Sequence, residues 1–183
     1  MRPLREPLRN QSSACFVSTQ TAQRQPFFRH ERWANLLRET ILHYCDNGYS
    51  LHAYVIMPDH LHLLITPKGS LERAIQLIKG GFSFRAKREF AWKSDIWQPG
   101  LSDHRIRDEE DWKNHLGYIR RNPVEARLVE DAGAFPFIGF PSPEFPQRLK
   151  PEVLNQIQDV RAEARTLHTE APALQADFNE VHS

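Results

Sequence analysis

The sequence predicts an α+β domain in which helices pack on an antiparallel sheet. Segments rich in β-forming residues alternate with segments whose apolar residues recur every three or four positions, and these are the periods of strands and helices. Two of the predicted strands follow each other across a short turn, which favours antiparallel pairing. The 183-residue chain is 40% apolar and 26% charged, so it suits one globular domain with a substantial core.

A strand, a helix and a pair of strands are predicted for the first part of the chain. Residues 14–21 (ACFVSTQT) are rich in β-forming residues, and residues 31–45 carry apolar side chains at helical spacing. Residues 49–56 (YSLHAYVI) and 60–66 (HLHLLIT) predict two more strands, joined by a turn that contains a Pro-Asp pair. The order up to this point is β-α-β-β.

The next segment predicts a helix, a short strand and a second helix. Ser70 is suited to cap a helix over residues 71–90, although Gly80-Gly81 each cost ~1 kcal/mol of helix propensity there. A short strand is predicted near residues 103–106, and an acidic run opens a helix over residues 108–122. The complete order, β-α-β-β-α-β-α, is that of the split βαβ, ferredoxin-like fold.

The two ends of the chain differ from its middle in composition. Residues 1–13 form a predicted N-terminal arm, and residues 14–135 the folded domain. Residues 136–183 form a proline-rich linker with a polar helical tail, whose end we expect to be disordered. No stretch has the length and apolarity of a bilayer span or of a secretory signal, so we expect a cytoplasmic protein. Cys15 and Cys45 lack a CxxC spacing and are predicted to be free thiols.

Charge is distributed unevenly along a chain whose net charge is only +1. Residues 1–43 contain seven Arg and three Glu, a net of +4, and residues 70–107 contain eight basic and four acidic residues, again +4. Residues 144–183 contain four basic and seven acidic residues, a net of −3. This pattern is compatible with a polyanionic partner, and it is equally typical of an ordinary solvated surface.

Two histidines begin the strand predicted over residues 60–66. Alternate side chains of a strand share a face, so His60 and His62 project the same way, about 7 Å apart along the chain. Two imidazoles on one face can hold one divalent ion, each through one ring nitrogen. An HxH pair alone is a weak signal, and a polar strand edge explains it as well.

The helix over residues 108–122 carries two stripes at 100° per residue. The apolar stripe consists of Trp112, Leu116 and Ile119. The polar stripe consists of Asp111, His115, Tyr118 and Asn122. Tyr118 therefore lies away from the packing face, and Asn122 follows it one turn later, at a predicted helix end set by Pro123.

A tyrosine beside a metal ion could attack a phosphate. A phenol with a pKa near 10 is a weak nucleophile, and a divalent ion on His60 and His62 would polarise the phosphate and offset its developing charge. The product would be a covalent phosphotyrosine. A mixed site of two imidazoles and an amide oxygen is compatible with Mg²⁺ or Mn²⁺.

Four motifs, in this order, resemble those of the REP-associated tyrosine transposases, which are relatives of the single-tyrosine HUH insertion-sequence transposases. They are VIMPDHLHLLI (55–65), LIKGGFSFRAKREF (77–90), IWQPGLSDHRIRDEEDW (96–112) and YIRRNPVEARLV (118–129). The resemblance covers residues 14–135, which it implies to be an HUH catalytic domain. The ordered set of motifs is far more specific than the histidine pair.

The resemblance implies a nuclease and strand transferase that nicks and rejoins single-stranded DNA through a 5′-phosphotyrosine. It places the metal on His60 and His62, the nucleophile on Tyr118, and a further metal ligand on Asn122. The implied substrate is hairpin-forming DNA of the repeated extragenic palindrome (REP) kind. Asp59 departs mildly from the family, in which Asn is frequent before the first ligand. Relatives include both monomers and homodimers.

Basic side chains near these motifs are candidates for DNA contact. Arg85 and Lys87 interleave with aromatic residues in the helix over residues 71–90, as in single-strand binders, although a solvated helix face is the competing interpretation. Arg120 and Arg121 flank Tyr118 and could meet phosphates. His104 is as consistent with a catalytic role as with packing.

Two other functions remain open on the sequence. One is a domesticated protein that binds hairpin DNA without cleaving it. The other is a hydrolase that uses a metal-bound water on His60 and His62, with Tyr118 only structural.

Overall fold

Five strands and three α-helices make up the part of the chain that the structure, a computed structural model, describes, residues 13–146. The strands are β1 (Cys15–Gln20), β2 (Tyr49–Met57), β3 (His60–Pro67), β4 (Ser102–Arg105) and β5 (Ile138–Gly139). The helices are α1 (Glu31–His43), α2 (Leu71–Phe90) and α3 (Glu109–Glu125), and short 3-10 turns lie at Ala22–Arg24, Phe27–Arg29 and Ala132–Ala134. The predicted order β-α-β-β-α-β-α is confirmed as far as α3, and β5, which was not predicted, follows it.

The strands form one sheet in the order β4-β1-β3-β2-β5, and every pairing in it is antiparallel. The β2–β3 hairpin lies in the middle, and β1 pairs with β3 on one side and with β4 on the other. This arrangement confirms the predicted ferredoxin-like class. It also brings the start of β3 next to the end of β1, where Gln20 is paired with His60 and Ser18 with His62.

The main core lies between the sheet and helices α1 and α2. Leu61, Leu63 and Ile65 of β3 point to this face, as their alternation with the two histidines predicts, and each is buried. Phe82 of α2 is also buried there, and its ring contacts that of Phe28. Burial of such side chains contributes ~1.5–3 kcal/mol each, so this layer carries much of the folding free energy.

Helix α2 runs unbroken through Gly80-Gly81. Ser70 caps it, because the hydroxyl accepts a hydrogen bond from the Arg73 N–H at 3.1 Å. A Cβ on Gly81 would come within 2.7 Å of Cε2 of Tyr44, at the end of α1. The helix propensity lost at Gly81 is therefore offset by the close approach of α1 and α2 that the missing side chain allows.

Helix α3 covers the opposite face of the sheet. Asp108 caps it by accepting from the Asp111 N–H at 2.8 Å, and Trp112 and Ile119 are buried, as the predicted apolar stripe requires. The helix continues to Glu125, one turn beyond the predicted end at Asn122. Pro123 lacks one N–H donor, but the Ala126 N–H still donates to the Asn122 carbonyl at 3.0 Å, so the last turn closes without it.

The folded unit extends further than the predicted boundary at residue 135. Strand β5 pairs with β2, the indole of Trp112 donates to the Pro143 carbonyl at 3.0 Å, and the ring of Phe145 contacts that of Trp112. The residues predicted to start a linker therefore pack on α3 and on β2. Residues 1–12 of the predicted arm and residues 147–183 of the predicted linker and tail lie outside the described residues. Within residues 13–146, no helix is both long and apolar enough to cross a bilayer.

Candidate active site

The two histidines lie at the start of β3, directly after the tight turn that closes the β2–β3 hairpin. This turn is held in place by Thr21, whose N–H and hydroxyl both donate to the Asp59 carbonyl at 2.9 Å. The Phe28 N–H donates to the neighbouring Pro58 carbonyl at 3.0 Å. His60 and His62 therefore project from a rigid scaffold, and their ring centroids are 4.8 Å apart.

Asp59 orients His60. The Nδ1–H of His60 donates to Oδ1 of Asp59 at 2.6 Å, and the other carboxylate oxygen lies 3.4 Å from Nε of Arg24. Because a carboxylate only accepts, the proton of a neutral His60 stands on Nδ1 and Nε2 keeps a free lone pair. A carboxylate behind an imidazole in this way is a recurrent arrangement at metal sites. Asp59, which the sequence did not suggest as a ligand, thus has a positioning role.

His62 is buried, with 5% of its surface exposed. Burial, and to a smaller extent the charge of His60, lowers the pKa of His62 to about 3, so its ring is neutral at pH 7. Nε2 faces the hydroxyl of Tyr118 at 3.4 Å. Nδ1 is buried with no hydrogen-bond partner in the described part of the chain. The ring of Phe16 stacks on the imidazole at 5.3 Å and fixes its plane.

Tyr118 reaches the histidine pair from α3. Its ring is 5.1 Å from that of His62 and meets the Phe16 ring edge-on at 5.7 Å, while 37% of the residue is exposed. The polar stripe predicted for this helix is therefore correct, because it turns Tyr118 toward the sheet rather than into the core. Asn122 lies one turn later and is 8% exposed. Its side-chain amide makes no hydrogen bond within residues 13–146.

The donor set at this place fits a divalent metal ion. Neutral imidazoles offer lone pairs, and a free Nε2 on His60 beside Nε2 of His62 gives two nitrogen ligands on one strand face. The unbonded amide of buried Asn122 could supply an oxygen. The sequence predicted these three residues as metal ligands, and that assignment stays a prediction.

A second histidine group, His104 with Asp111 and His115, lies nearby. His104 Nε2–H donates to Oδ2 of Asp111 at 2.8 Å, and His115 Nδ1 lies 3.2 Å from Oδ1 of the same carboxylate. The two imidazoles stack at 4.8 Å. His104 is thus hydrogen-bonded and stacked, and its role stays as open as the sequence left it. The sequence held a partial signal, since Asp111 and His115 are four residues apart on one helix.

The ligand atoms of His104, Asp111 and His115 all lie within 4.8 Å of one another, so these three residues could also hold a metal ion. However, Oδ2 of Asp111 already accepts from both the N–H and the Nε of Arg107, each at 3.2 Å. Burial alone would raise the pKa of Asp111, but the hydrogen bonds from His104 and Arg107 outweigh it and lower the pKa to about 2. A guanidinium on the same oxygen disfavours a cation there.

The four basic residues predicted to contact DNA lie in two different places. Arg85 and Lys87 belong to α2, across the sheet from Tyr118, and Arg85 is engaged by Glu39 at 2.7 Å and Glu89 at 3.2 Å. Arg120 and Arg121 belong to α3, as Tyr118 does.

Both α3 arginines contact neighbours in the described chain. The guanidinium of Arg120 lies 5.0 Å from the centre of the Phe140 ring, and Nε of Arg121 donates to Glu125 at 3.2 Å. Both side chains remain exposed. Of the four predicted contacts, Arg120 and Arg121 are thus the two that lie on the helix of Tyr118.

Comparison with known proteins places this chain in a family. The family model described as "Transposase IS200 like" matches residues 14–122, which include both histidines, Tyr118 and Asn122. The chain belongs to this family. The resemblance stated from the four sequence motifs is thus confirmed.

Individual relatives agree. A REP-associated tyrosine transposase of Escherichia coli (strain K12) is 31% identical over 102 residues, which span 52% of this chain and 56% of the relative. A Haemophilus influenzae protein described as a "Putative REP-associated tyrosine transposase" is 35% identical over 115 residues. These span 56% of this chain and 64% of the relative. The matches thus span less than two thirds of either relative.

A solved structure shares the fold. It is described as a REP-associated tyrosine transposase bound to a REP hairpin, and it superposes with a TM-score of 0.64 at 22% identity. The alignment covers 82% of this chain and 94% of that one.

Proposed function

We propose that this chain is a metal-dependent endonuclease and strand transferase that acts on single-stranded, hairpin-forming DNA, with Tyr118 as the nucleophile. The observation that carries the proposal is the 3.4 Å distance between the Tyr118 hydroxyl and Nε2 of His62. An exposed nucleophile and a pair of imidazoles thus come from two different elements to one point. The family match over residues 14–122 supports the same reading.

The chemistry follows from what each side chain can do. The Tyr118 oxygen attacks the phosphorus and forms a 5′-phosphotyrosine; the bond from phosphorus to the 3′-oxygen breaks, the phenolic proton passes to water, and the leaving oxygen takes up a proton as a free 3′-OH. A new 3′-OH can reverse these steps and rejoin the strand. The Phe16 ring stacks on the imidazole of His62 and meets the Tyr118 ring edge-on. The attacking hydroxyl is therefore held in a preformed site.

Mg²⁺ or Mn²⁺ held by His60, His62 and Asn122 would polarise the phosphate and offset the charge that develops on its oxygens. Asp59 keeps Nε2 of His60 free of its proton by accepting from Nδ1–H. Burial keeps His62 neutral at pH 7, so its imidazole does not have to lose a proton to act as a ligand.

The partner class is proposed from the named relatives and from the charge near the site. The solved relative is described as bound to a REP hairpin. Arg120 and Arg121 leave exposed cations on the helix that carries Tyr118, where phosphates of a bound strand would pass. Cations of this kind hold the backbone without reading its sequence.

The test is covalent capture of DNA. The protein is incubated with Mn²⁺ or Mg²⁺ and a labelled DNA hairpin that has single-stranded flanks, and adducts are separated on a denaturing gel. We expect an adduct that disappears in Tyr118→Phe and in chelator. Tyr44→Phe, which removes a hydroxyl on the other side of the sheet, is the matched control and should form the adduct as the wild type does.

The other outcomes would each assign a different function. Strand cleavage that persists in Tyr118→Phe would identify a hydrolase that attacks with water. Tight hairpin binding without cleavage or adduct, in both metals, would identify a domesticated binding protein. Either result would overturn the proposed strand transferase.

A further inference from the structure

A polar cleft of about 240 Å³ lies beside the histidine pair, along the edge where β1 meets the segment before β4. We call it the Gln98 cleft. Its lining includes Ser18, Gln20, Gln98, Pro99, Leu101 and Ser102. None of these residues is used by the chemistry proposed above.

The strand register places the floor of the Gln98 cleft next to the proposed metal position. Ser18 is the cross-strand partner of His62, and Gln20 is the partner of His60. Side chains directly opposite each other in an antiparallel pair point to the same face, with their Cβ atoms about 5 Å apart. A group bound over Ser18 and Gln20 is therefore one strand away from the imidazoles. A nucleotide bound there could be the neighbour of the phosphate that Tyr118 would attack.

Polar groups in the cleft are available to a ligand. The side chains of Gln20 and Gln98, and the hydroxyls of Ser18 and Ser102, make no hydrogen bond within residues 13–146. Each amide carries donors and an acceptor. Pro99 and Leu101 add apolar surface between these polar groups, so the lining suits a flat ligand whose edge is polar.

The outer wall of the cleft is held firmly. The Gln98 N–H donates to the Gln20 carbonyl at 2.9 Å, and the Ala22 N–H donates to the Ile96 carbonyl at 2.8 Å. From α2, the ammonium group of Lys79 donates to the main-chain carbonyls of Gln98 at 3.0 Å and Gly100 at 3.1 Å. A wall that is already ordered loses little entropy when a ligand binds.

We propose that the Gln98 cleft binds one unpaired nucleobase of the substrate strand, next to the phosphate that is cleaved. The inference rests on the proposed function, which puts single-stranded DNA at this place. The cleft is smaller than the ~300 Å³ at which pockets for small molecules usually begin, which suits a single base better than a whole nucleotide. Side-chain amides recognise base edges by paired hydrogen bonds, best with adenine, so the cleft selects the base beside the cut.

The test measures which base the protein needs. A hairpin with single-stranded flanks is made as a series in which one flanking base at a time is removed to leave an abasic site. Binding is measured by fluorescence anisotropy in chelator, so that no cleavage is required, and adduct formation is measured separately with Mn²⁺. For the wild type we expect one flanking position at which base removal weakens binding about tenfold.

Two variants connect that position to the cleft. Gln20→Ala and Gln98→Ala should shrink the abasic penalty at this position to less than about threefold, since the paired hydrogen bonds are lost. Gln76→Ala, an exposed glutamine of α2 across the sheet, is the matched control and should keep the penalty. Gln98→Glu, of the same size, serves as a second variant, and circular dichroism confirms that each variant is folded.

The results separate the two proposals. A base preference that the cleft variants abolish, without any adduct in the wild type, would support the cleft and overturn the strand transferase. An adduct whose abasic penalties are the same in wild type, Gln20→Ala and Gln98→Ala would overturn the cleft alone. A wild type that tolerates base removal at every flanking position would also overturn it.

Discussion

Two histidine pairs contact the Phe16 ring, whose centroid is 5.3 Å from that of His62 and 4.7 Å from that of His115. In each pair the two imidazole centroids are 4.8 Å apart. The pairs differ in what surrounds them. His104 and His115 share the carboxylate of Asp111. In the pair on β3, the carboxylate of Asp59 contacts His60 but not His62.

This difference explains why similar residues are suited to different tasks. The hydrogen-bonding capacity of His104 and His115 toward Asp111 is used inside the protein, and Arg107 completes the charge balance. His62 has no charged side chain bonded to it in the described chain, and its Nε2 faces Tyr118. Two histidines that share one carboxylate are held within the fold, whereas His62, which no carboxylate contacts in the described chain, is open to a ligand.

The largest expected effect is on strand cleavage. His62→Ala should slow adduct formation about a thousandfold, because several kcal/mol of charge stabilisation at the phosphate would be lost with the metal. His115→Ala should slow it by about tenfold or less, through looser packing around Phe16. Single-turnover adduct formation in Mn²⁺ measures both rates. Equal losses of rate in the two variants would show that the two histidine pairs do not differ in their role in cleavage.

Metal binding gives the matching control for this pair of variants. In calorimetric titration with Mn²⁺, His62→Ala should lose binding and His115→Ala should retain it. The reverse result would move the metal to the group of His104, Asp111 and His115, whose ligand atoms lie within 4.8 Å of one another.

A smaller effect is expected on stability when the Asp111 carboxylate is neutralised. Asp111→Asn should lower the free energy of unfolding at pH 7 by about 2–3 kcal/mol, because hydrogen bonds from His104 and Arg107 to a buried charge are weakened. Glu110→Gln, exposed in the same helical turn, should change it by less than about 0.5 kcal/mol. Urea unfolding measures both free energies. An Asp111→Asn variant with the stability of the wild type would show that the carboxylate is not needed for folding.

The smallest effects are the pH dependences of stability, which begin near pH 6.5 for His62 and near pH 4 for Asp111. The pKa of His62 is lowered from 6.5 to about 3. Below pH 6.5, His62 therefore binds a proton in the unfolded chain but not in the folded chain. Stability therefore falls as the pH is lowered, by about 2 kcal/mol between pH 7 and pH 5.

For Asp111 the pKa is lowered from 3.8 to about 2, so its contribution is complete above pH 4 and is lost between pH 4 and pH 2. Urea unfolding of metal-free protein across this range measures both windows. His62→Gln should remove the fall in stability between pH 7 and pH 5 and keep the fall that Asp111 causes below pH 4. His43→Ala, which changes an exposed histidine, should follow the wild type. A steep upper window that persists in His62→Gln would show that another group titrates there.

The sequence by itself determined the elements and the residues of the proposed site. Strand alternation placed His60 and His62 on one face and Leu61 on the other, and the 100° step of a helix turned Tyr118 away from Trp112. These inferences succeed because they depend on the period of the local backbone, which neighbouring residues set. Predicted helix and strand bounds accordingly differ from the observed ones by only a few residues.

Only the tertiary structure decided which distant groups meet. Arg85 pairs with Glu39, 46 positions away, and His104 of β4 meets Asp111 of α3 across a turn whose course the sequence did not show. Of the residues predicted as a linker, Ile138–Gly139 pair with β2, and Phe145 packs on Trp112. Such contacts depend on how elements pack in three dimensions, and no local period in the sequence encodes that packing. The histidine pair was visible in the sequence, but its nearness to Tyr118 and its lack of a shared counter-ion became visible only in the fold.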